Sequence, residues 1–244
     1  NVSNYPGTTV EVTRASARFD REVLLLDTPG VLALPSRSDD ERATMRALLN
    51  ESSRCLVQVG DAKNLRRTLT LTALLAELGV PMVLALNMHD EAAARGVMVD
   101  IPALSEELGI PVLATVATGG EGIGELTHGL GHAKPAEALL RYDPEIEADI
   151  ATMADAIIRF APHPQLAARG LAILYLGGDS VVADWLAERA GESHGQLEIL
   201  RKYAIERADG DLPALLARER TEAADALATS VIQRAARSSP LLSQ

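Results

Sequence analysis

Lysine is almost missing from this chain. Lys63, Lys134 and Lys202 are the only three in 244 residues, and none lies in a G-x-x-x-x-G-K-[ST] context. The cradle of backbone amides and lysine that commonly holds nucleotide phosphates is therefore absent from the sequence as it stands. Cysteine is scarcer still. The lone Cys55 excludes a disulfide framework and fits a reducing compartment. Inside an apolar run, it reads as a core residue rather than a nucleophile. Aromatic residues make up only 3% of the chain, which argues against an all-β sandwich. No apolar stretch reaches the roughly 18 residues of a membrane-spanning helix, and the opening residues are polar and turn-forming, unlike a signal peptide. Positive charge is also short. With a net charge of −11 and no basic patch, nucleic acid is excluded as a partner.

What is present is an apolar pattern of 47% hydrophobic residues, enough for one large or two small domains. Strand-like runs occur at Val10–Phe19, Val23–Leu26, Leu56–Val59, Met82–Leu86 and Pro111–Ala114. Helical patterns near Glu41–Glu51, Leu65–Leu78 and Ala103–Leu108 alternate with them, as in a parallel α/β sheet. Gly79-Val80-Pro81 and Gly109-Ile110-Pro111 each stop a helix and start the next strand. After about Ala138 the strand signals cease. Ile146, Ile150, Met153 and Ile157 form one helical stripe, Val182, Trp185 and Leu186 another, and Leu212–Ala236 reads as helix throughout. The spacing predicts about five helices in a second, all-helical domain. Pro135 and Pro144 punctuate the boundary, giving domains over 1–137 and 138–244.

Four polar elements sit where chemistry is expected in an open α/β sheet, at carboxyl ends of strands. Asp27-Thr28-Pro29-Gly30 follows an apolar strand. A carboxylate there can hold a magnesium water shell, and the glycine lets a backbone N–H approach a terminal phosphate. Asn87-Met88-His89-Asp90 follows another strand. A carboxylate there can accept two N–H bonds from guanine, a donor pair that adenine lacks. Thr115-Val116-Ala117-Thr118 end the last strand, where a backbone N–H can meet the guanine carbonyl. Thr9, in a loop before the first strand, can complete the magnesium shell. Taken singly, D-x-P-G is equally a strand-ending turn and N-x-x-D a solvated turn; their order along the chain is what makes a nucleotide site of them.

The strings Asn4–Glu11 (NYPGTTVE), DTPG, Asp61–Asp90 (beginning DAKNLRRTLTLT and ending NMHD) and Gly120–Leu126 resemble the ferrous iron transport protein B family. Arg169–Leu174 with Gly178-Asp179 are similar to that family's second cytosolic domain. The resemblance implies a Ras-like doubly wound, mostly parallel sheet followed by an all-helical domain. It implies GTP/GDP and Mg²⁺ as cofactors. Thr9 would be the switch I threonine, Asp27 and Gly30 would belong to switch II, and Thr9 and Asp27 would hold Mg²⁺ directly or through water. Asn87, Met88, Asp90, Val116, Ala117 and Thr118 would surround the base. It further implies a GTPase regulating Fe²⁺ uptake at the cytoplasmic face of the bacterial inner membrane, joined to a membrane-embedded permease part of the same polypeptide, and possible homo-oligomers. Val116 stands where the family usually has Ser, and Thr28 replaces a common Leu.

In this family the P-loop and its strand immediately precede N-Y-P-G, so the chain is expected to start inside switch I and to bind GTP poorly by itself. Without that central strand, the strands ending at Asp27 and near Asp61 should leave a slot one strand wide rather than pair directly. Two other readings are a GTPase-like regulatory module with an impaired nucleotide site and another TRAFAC-type GTPase of the ribosome-associated kind. His128 and His132 share the i, i+4 spacing of metal ligands, but the flanking Gly129 and Gly131 and the lack of a third ligand favour surface or helix-end histidines. His163 reads as a loop residue and His194 as lying near a helix start, while Glu145, Glu147 and Asp149 read as a solvated helix face.

Overall fold

The computed structural model describes residues 2–4, 11–18, 22–31, 33–52 and 55–234. Strands β1 (Val2–Asn4), β2 (Glu11–Arg18) and β3 (Glu22–Asp27) form an antiparallel meander in which Thr13 faces Asp27. Helix α1 (Asp39–Asn50) begins at a capping box in which Ser38 and Glu41 satisfy each other's backbone N–H. A second set alternates strand and helix: β4 (Leu56–Asp61), α2 (Leu65–Glu77), β5 (Met82–Asn87), α3 (His89–Ala94), β6 (Val97–Val99), α4 (Ile101–Leu108), β7 (Val112–Ala114) and α5 (Ile123–Gly129). Strands β4, β5 and β7 are parallel, with Asp61 opposite Asn87 and Leu86 opposite Ala114. Met82 to Leu86 are all buried, as expected for a strand covered on both faces. Gly79 and Gly109 adopt φ of 68° and 64°, the left-handed turn that ends a helix and is open to glycine at little cost.

Five helices follow: α6 (Pro144–Phe160), α7 (Ala168–Leu176), α8 (Ser180–Ala190), α9 (His194–Arg207) and α10 (Leu212–Val231). The fold is thus a parallel α/β sheet followed by a helical region, as the pattern predicts. One expectation is corrected. Strands do not cease after residue 138, and the last helix does not run on to Ala236. It ends at Val231, and β8 (Ile232–Arg234) pairs antiparallel with β6. The β-branched pair Val231-Ile232 favours extended backbone, and β6 offers an open edge with which Ile232–Arg234 pair.

Among the described residues, β3 pairs with β2 and β4 with β5, and the two strands lie in separate sheets. They do not pair directly, in line with the expected slot. Leu24 is 61% exposed and Leu25 40% on β3; Val57 is 41% exposed and Val59 67% on β4. Apolar strand residues so open to water form exposed hydrophobic surface on both strands.

The helical region is fastened to the sheet region by close backbone approach and by buried charge. A Cβ on Gly170 would lie 2.5 Å from the Glu77 carbonyl oxygen, so α7 reaches the end of α2 only with glycine there. Beside it, Arg169 donates to Glu77 (2.6 Å) and Glu147 (2.6 Å). Asp149 is buried and pairs with Arg207. The reading of Glu147 and Asp149 as a solvated face is therefore corrected. A helical pattern shows which residues share a stripe, not that α7 and α9 lie against the flank of that stripe.

His163 does sit in a loop, but it is half-buried and pinned on both sides. Its Nδ1 accepts from the N–H groups of Gln165 (3.0 Å) and Leu166 (2.9 Å), which leaves Nε2 to donate to the Leu49 carbonyl 3.0 Å away. Burial pulls its pKa below 6.5, assisted by nearby Arg189 and opposed by the Leu49 carbonyl. Folding then favours the neutral ring. Its contribution is present above pH 6.5 and is lost as pH falls from there through the lowered folded value. His163→Asn keeps an acceptor for the two N–H groups and removes the titration. We expect urea midpoints measured between about pH 5 and 7 to fall less steeply with acid in this variant than in the parent.

Candidate functional site

The carboxyl ends of β4, β5 and β7 bring three loops together. Asn87 ends β5, and its Oδ1 accepts from the Ala117 N–H at 3.0 Å and from the Thr115 hydroxyl at 3.4 Å. The Thr115 N–H donates to the Leu86 carbonyl and the His89 N–H to the Thr115 carbonyl. Val116 pairs with Glu121 across a tight turn. The N-M-H-D and Val116–Thr118 segments are therefore one unit, joined by the Asn87 side chain. Within it the Ala117 N–H is already engaged in holding Asn87.

Met88 has φ 59° and ψ 35°, a left-handed conformation unusual for a side chain of its size. Such strain persists where surroundings impose it, commonly at binding sites. It turns the chain from β5 into α3 and leaves Asp90 exposed in the first helical turn. Among the described residues nothing hydrogen-bonds the Asp90 carboxylate. From the turn that follows β4, the Lys63 ammonium lies 2.7 Å from Glu91 and 3.1 Å from the Met88 sulfur. Asp61, at the end of β4, accepts from the Lys63 N–H and from Asn64 Nδ2. Lys63 and Glu91 are not among the site residues the sequence singles out, whereas Thr115 is. The D-A-K-N string at the carboxyl end of a strand is the signal that marks Lys63.

Asp27 ends β3 and is exposed, and Gly30 lies in the loop beyond with open space around its Cα. Neither is hydrogen-bonded to the Asn87–Thr118 unit. Thr9 lies outside the described residues. The loop after Gly30 is held at both ends. The Thr44 hydroxyl donates to the Pro29 carbonyl at 3.2 Å, and Glu41 accepts from the N–H groups of Ala33, Arg37 and Ser38. Burial pushes the Glu41 pKa up, but those N–H bonds outweigh it and hold the carboxyl below its ordinary value. Further along, the Ser36 N–H donates to Asp179 Oδ2 at 2.7 Å, and Arg220 reaches the Leu34 carbonyl. Asp179 Oδ1 meanwhile caps α8 through Val181 and Val182. The D-T-P-G loop is thus continuous with a contact on the helical region. Cys55 is partly buried, and burial raises its thiol pKa, which agrees with an inert core cysteine.

Residues 1–130 match the family described as ferrous iron transport protein B, and residues 142–233 match the FeoB cytosolic helical domain. The chain belongs to the FeoB family. It is 35% identical over 196 residues to the Fe(2+) transporter FeoB of Salmonella choleraesuis, covering 78% of this chain and 25% of that protein. The Staphylococcus aureus Fe(2+) transporter FeoB is 32% identical over 209 residues, 84% of this chain and 31% of the relative. The chain thus spans about a quarter to a third of those proteins. Its structure superposes on the cytosolic domain of Legionella pneumophila FeoB with a TM-score of 0.80 at 28% identity, covering 96% of this chain and 90% of that one. A GDP-bound mutant of the Streptococcus thermophilus NFeoB gives 0.78 at 27% identity, with the same coverage.

Proposed function

We propose that this chain is the nucleotide-binding and helical part of a ferrous iron transporter, a GTPase in its intact form whose nucleotide state regulates Fe²⁺ uptake. A G domain over 1–137 and a helical domain over 138–244 would lie at the cytoplasmic face of the bacterial inner membrane. A membrane permease part of the same polypeptide would be their partner, and self-association is part of this reading. The observation that carries it is the Asn87–Ala117 contact, which joins two loops at neighbouring strand ends beside an Asp90 carboxylate that has no hydrogen-bond partner among the described residues. Guanine presents two N–H donors to such a carboxylate, and a wrong base leaves it unpaired. Asn87 keeps the two loops in register, the Met88 backbone presents Asp90, and the Ala117 N–H is shared between Asn87 and the base carbonyl. Val116 and Thr118 shape the rim.

The Asp27 carboxylate is exposed and has no partner among the described residues, and a hard oxygen donor of this kind fits Mg²⁺. Together with Thr9 it would hold the ion, which when bound neutralises charge on the phosphates. Gly30 would offer its N–H to the γ-phosphate. Because Leu34 and Ser36 contact Arg220 and Asp179, a shift of this loop would be felt in the helical domain. Phosphate binding itself needs a loop that the 244 residues do not contain. The 244-residue chain alone would bind nucleotide weakly.

The test is a calorimetric titration of the intact protein. We expect one GDP to bind, with ADP weaker by roughly 100-fold or more. Thr9→Ala should leave GDP affinity unchanged and slow GTP hydrolysis. Equal affinity for GDP and ADP would overturn the guanine site, and undiminished hydrolysis in Thr9→Ala would remove that residue from the reaction.

A further inference from the structure

Helix α5 and the turn Leu130–His132 that extends it carry two imidazoles that nucleotide binding does not use. His128 and His132 are both exposed, with their Nε2 atoms 3.3 Å apart. Their ring centroids are 4.9 Å apart and the planes are inclined by 58°. The centroids are more widely spaced than the nitrogens, so the rings diverge from a region in front of the two Nε2 atoms. An ion about 2.05 Å from each nitrogen, the usual zinc–imidazole distance, would see donors 3.3 Å apart at an angle of about 107°. That is close to the tetrahedral angle. Without an ion, the same contact holds only if one Nε2 carries a proton and the other accepts it.

The glycines that count against this pair in the sequence have a packing reason. Gly129 is buried where α5 meets β7, and a Cβ there would lie 2.8 Å from Leu113 Cδ1. The close approach keeps the helix running into its final turn and places both histidines over a cleft of about 630 Å³ bordered by Ser105, Pro111 and Leu113. Glu125 lines the same cleft one turn before His128, on the same helical stripe, and its charge favours a cation there. Among the described residues no three His, Cys, Asp or Glu side chains are grouped closely enough to hold a metal between them. An ion held there would take two imidazoles from the protein and its remaining ligands from water.

We propose that His128 and His132 bind a divalent transition-metal ion of borderline softness, the class that includes Zn²⁺, Co²⁺, Ni²⁺ and Fe²⁺, in this cleft. Paired imidazoles suit these ions and not Mg²⁺, which takes oxygen ligands. The site is separate from the nucleotide loops and does not depend on the function proposed above.

The 244-residue chain should be titrated with Zn²⁺ by calorimetry and with Co²⁺ by visible absorption, each repeated on His128→Gln, His132→Gln and the double variant. Both residues are exposed, so the variants should keep the parent's circular dichroism. We expect one Zn²⁺ with a dissociation constant in the ~1–100 μM range, a Co²⁺ ligand-field band, and loss of at least about tenfold in affinity in either single variant. An unchanged Zn²⁺ isotherm and Co²⁺ band in the double variant would overturn the site, as would parent protein that fails to take up Zn²⁺ below about 1 mM.

Discussion

Asp90→Asn, in the intact protein, is expected to weaken GDP by roughly 10²- to 10⁴-fold while strengthening xanthosine diphosphate. The carboxylate accepts from both guanine donors, and hydrogen bonds to a charged group are each worth about 1.5–3 kcal/mol. Two such bonds correspond to the range given. The amide keeps one acceptor and gains a donor, which matches xanthine, where a carbonyl replaces the amino group. Asp90 is exposed and has no partner among the described residues, so the substitution should leave thermal unfolding unchanged. Calorimetry with both diphosphates tests it directly. Retained GDP affinity, or no gain for xanthosine diphosphate, would show that Asp90 does not read the base.

Asp90 and Asn87 were legible in the sequence because both follow a strand whose burial is written in five consecutive apolar residues, Met82 to Leu86. Once that strand is placed, the residues that end it stand at the ligand-binding edge. Lys63 was not legible in the same way. Its contacts with Met88 and Glu91 depend on the parallel register that puts Asp61 beside Asn87, and pairing between strands separated by a helix is not visible in local pattern. The five helices were readable from their stripes and glycine breaks. Their flanks were not, since Asp149 is polar in sequence but buried against Arg207. Strand β8 has only three residues, too few for an alternating pattern to emerge from the helix before it. The string Arg169-Gly170 stood out as a resemblance; its reason is physical. Glycine admits α7 to the end of α2, and the arginine beside it meets the carboxylate that this approach buries.

That carboxylate sets the largest effect on stability. The Glu77 side chain is 2% exposed, whereas that of Arg169 is 32% exposed. Burial pushes the Glu77 pKa above its ordinary 4.5 despite the bonds from Arg169, while Arg169's separate bonds to Glu147, which is less buried, hold that carboxyl below 4.5. Around them Tyr142 is pushed up to about 12 by burial, and the Arg220 guanidinium, also buried, has its pKa lowered. Arg220 also attracts Glu77, but without a hydrogen bond to it, so Arg169 is the partner that satisfies the carboxylate. Arg169→Met keeps the volume and apolar stem but leaves Glu77 charged and buried. Breaking a buried pair costs about 3–5 kcal/mol, and partial exposure of the arginine reduces this to roughly 2–3 kcal/mol at pH 7. The sign with pH follows from Glu77. Its raised folded pKa means that the folded state holds the proton more tightly, so acid relieves the penalty and alkali restores it. The variant's loss, measured as the shift in urea midpoint, should therefore shrink between about pH 7 and pH 5. Adding Glu77→Gln should recover part of the loss at neutral pH, because a neutral amide tolerates burial better than a lone carboxylate. A loss that is the same at both pH values and unrelieved by Glu77→Gln would mean that Arg169 acts through packing alone, and that charge does not fasten the helical region to α2.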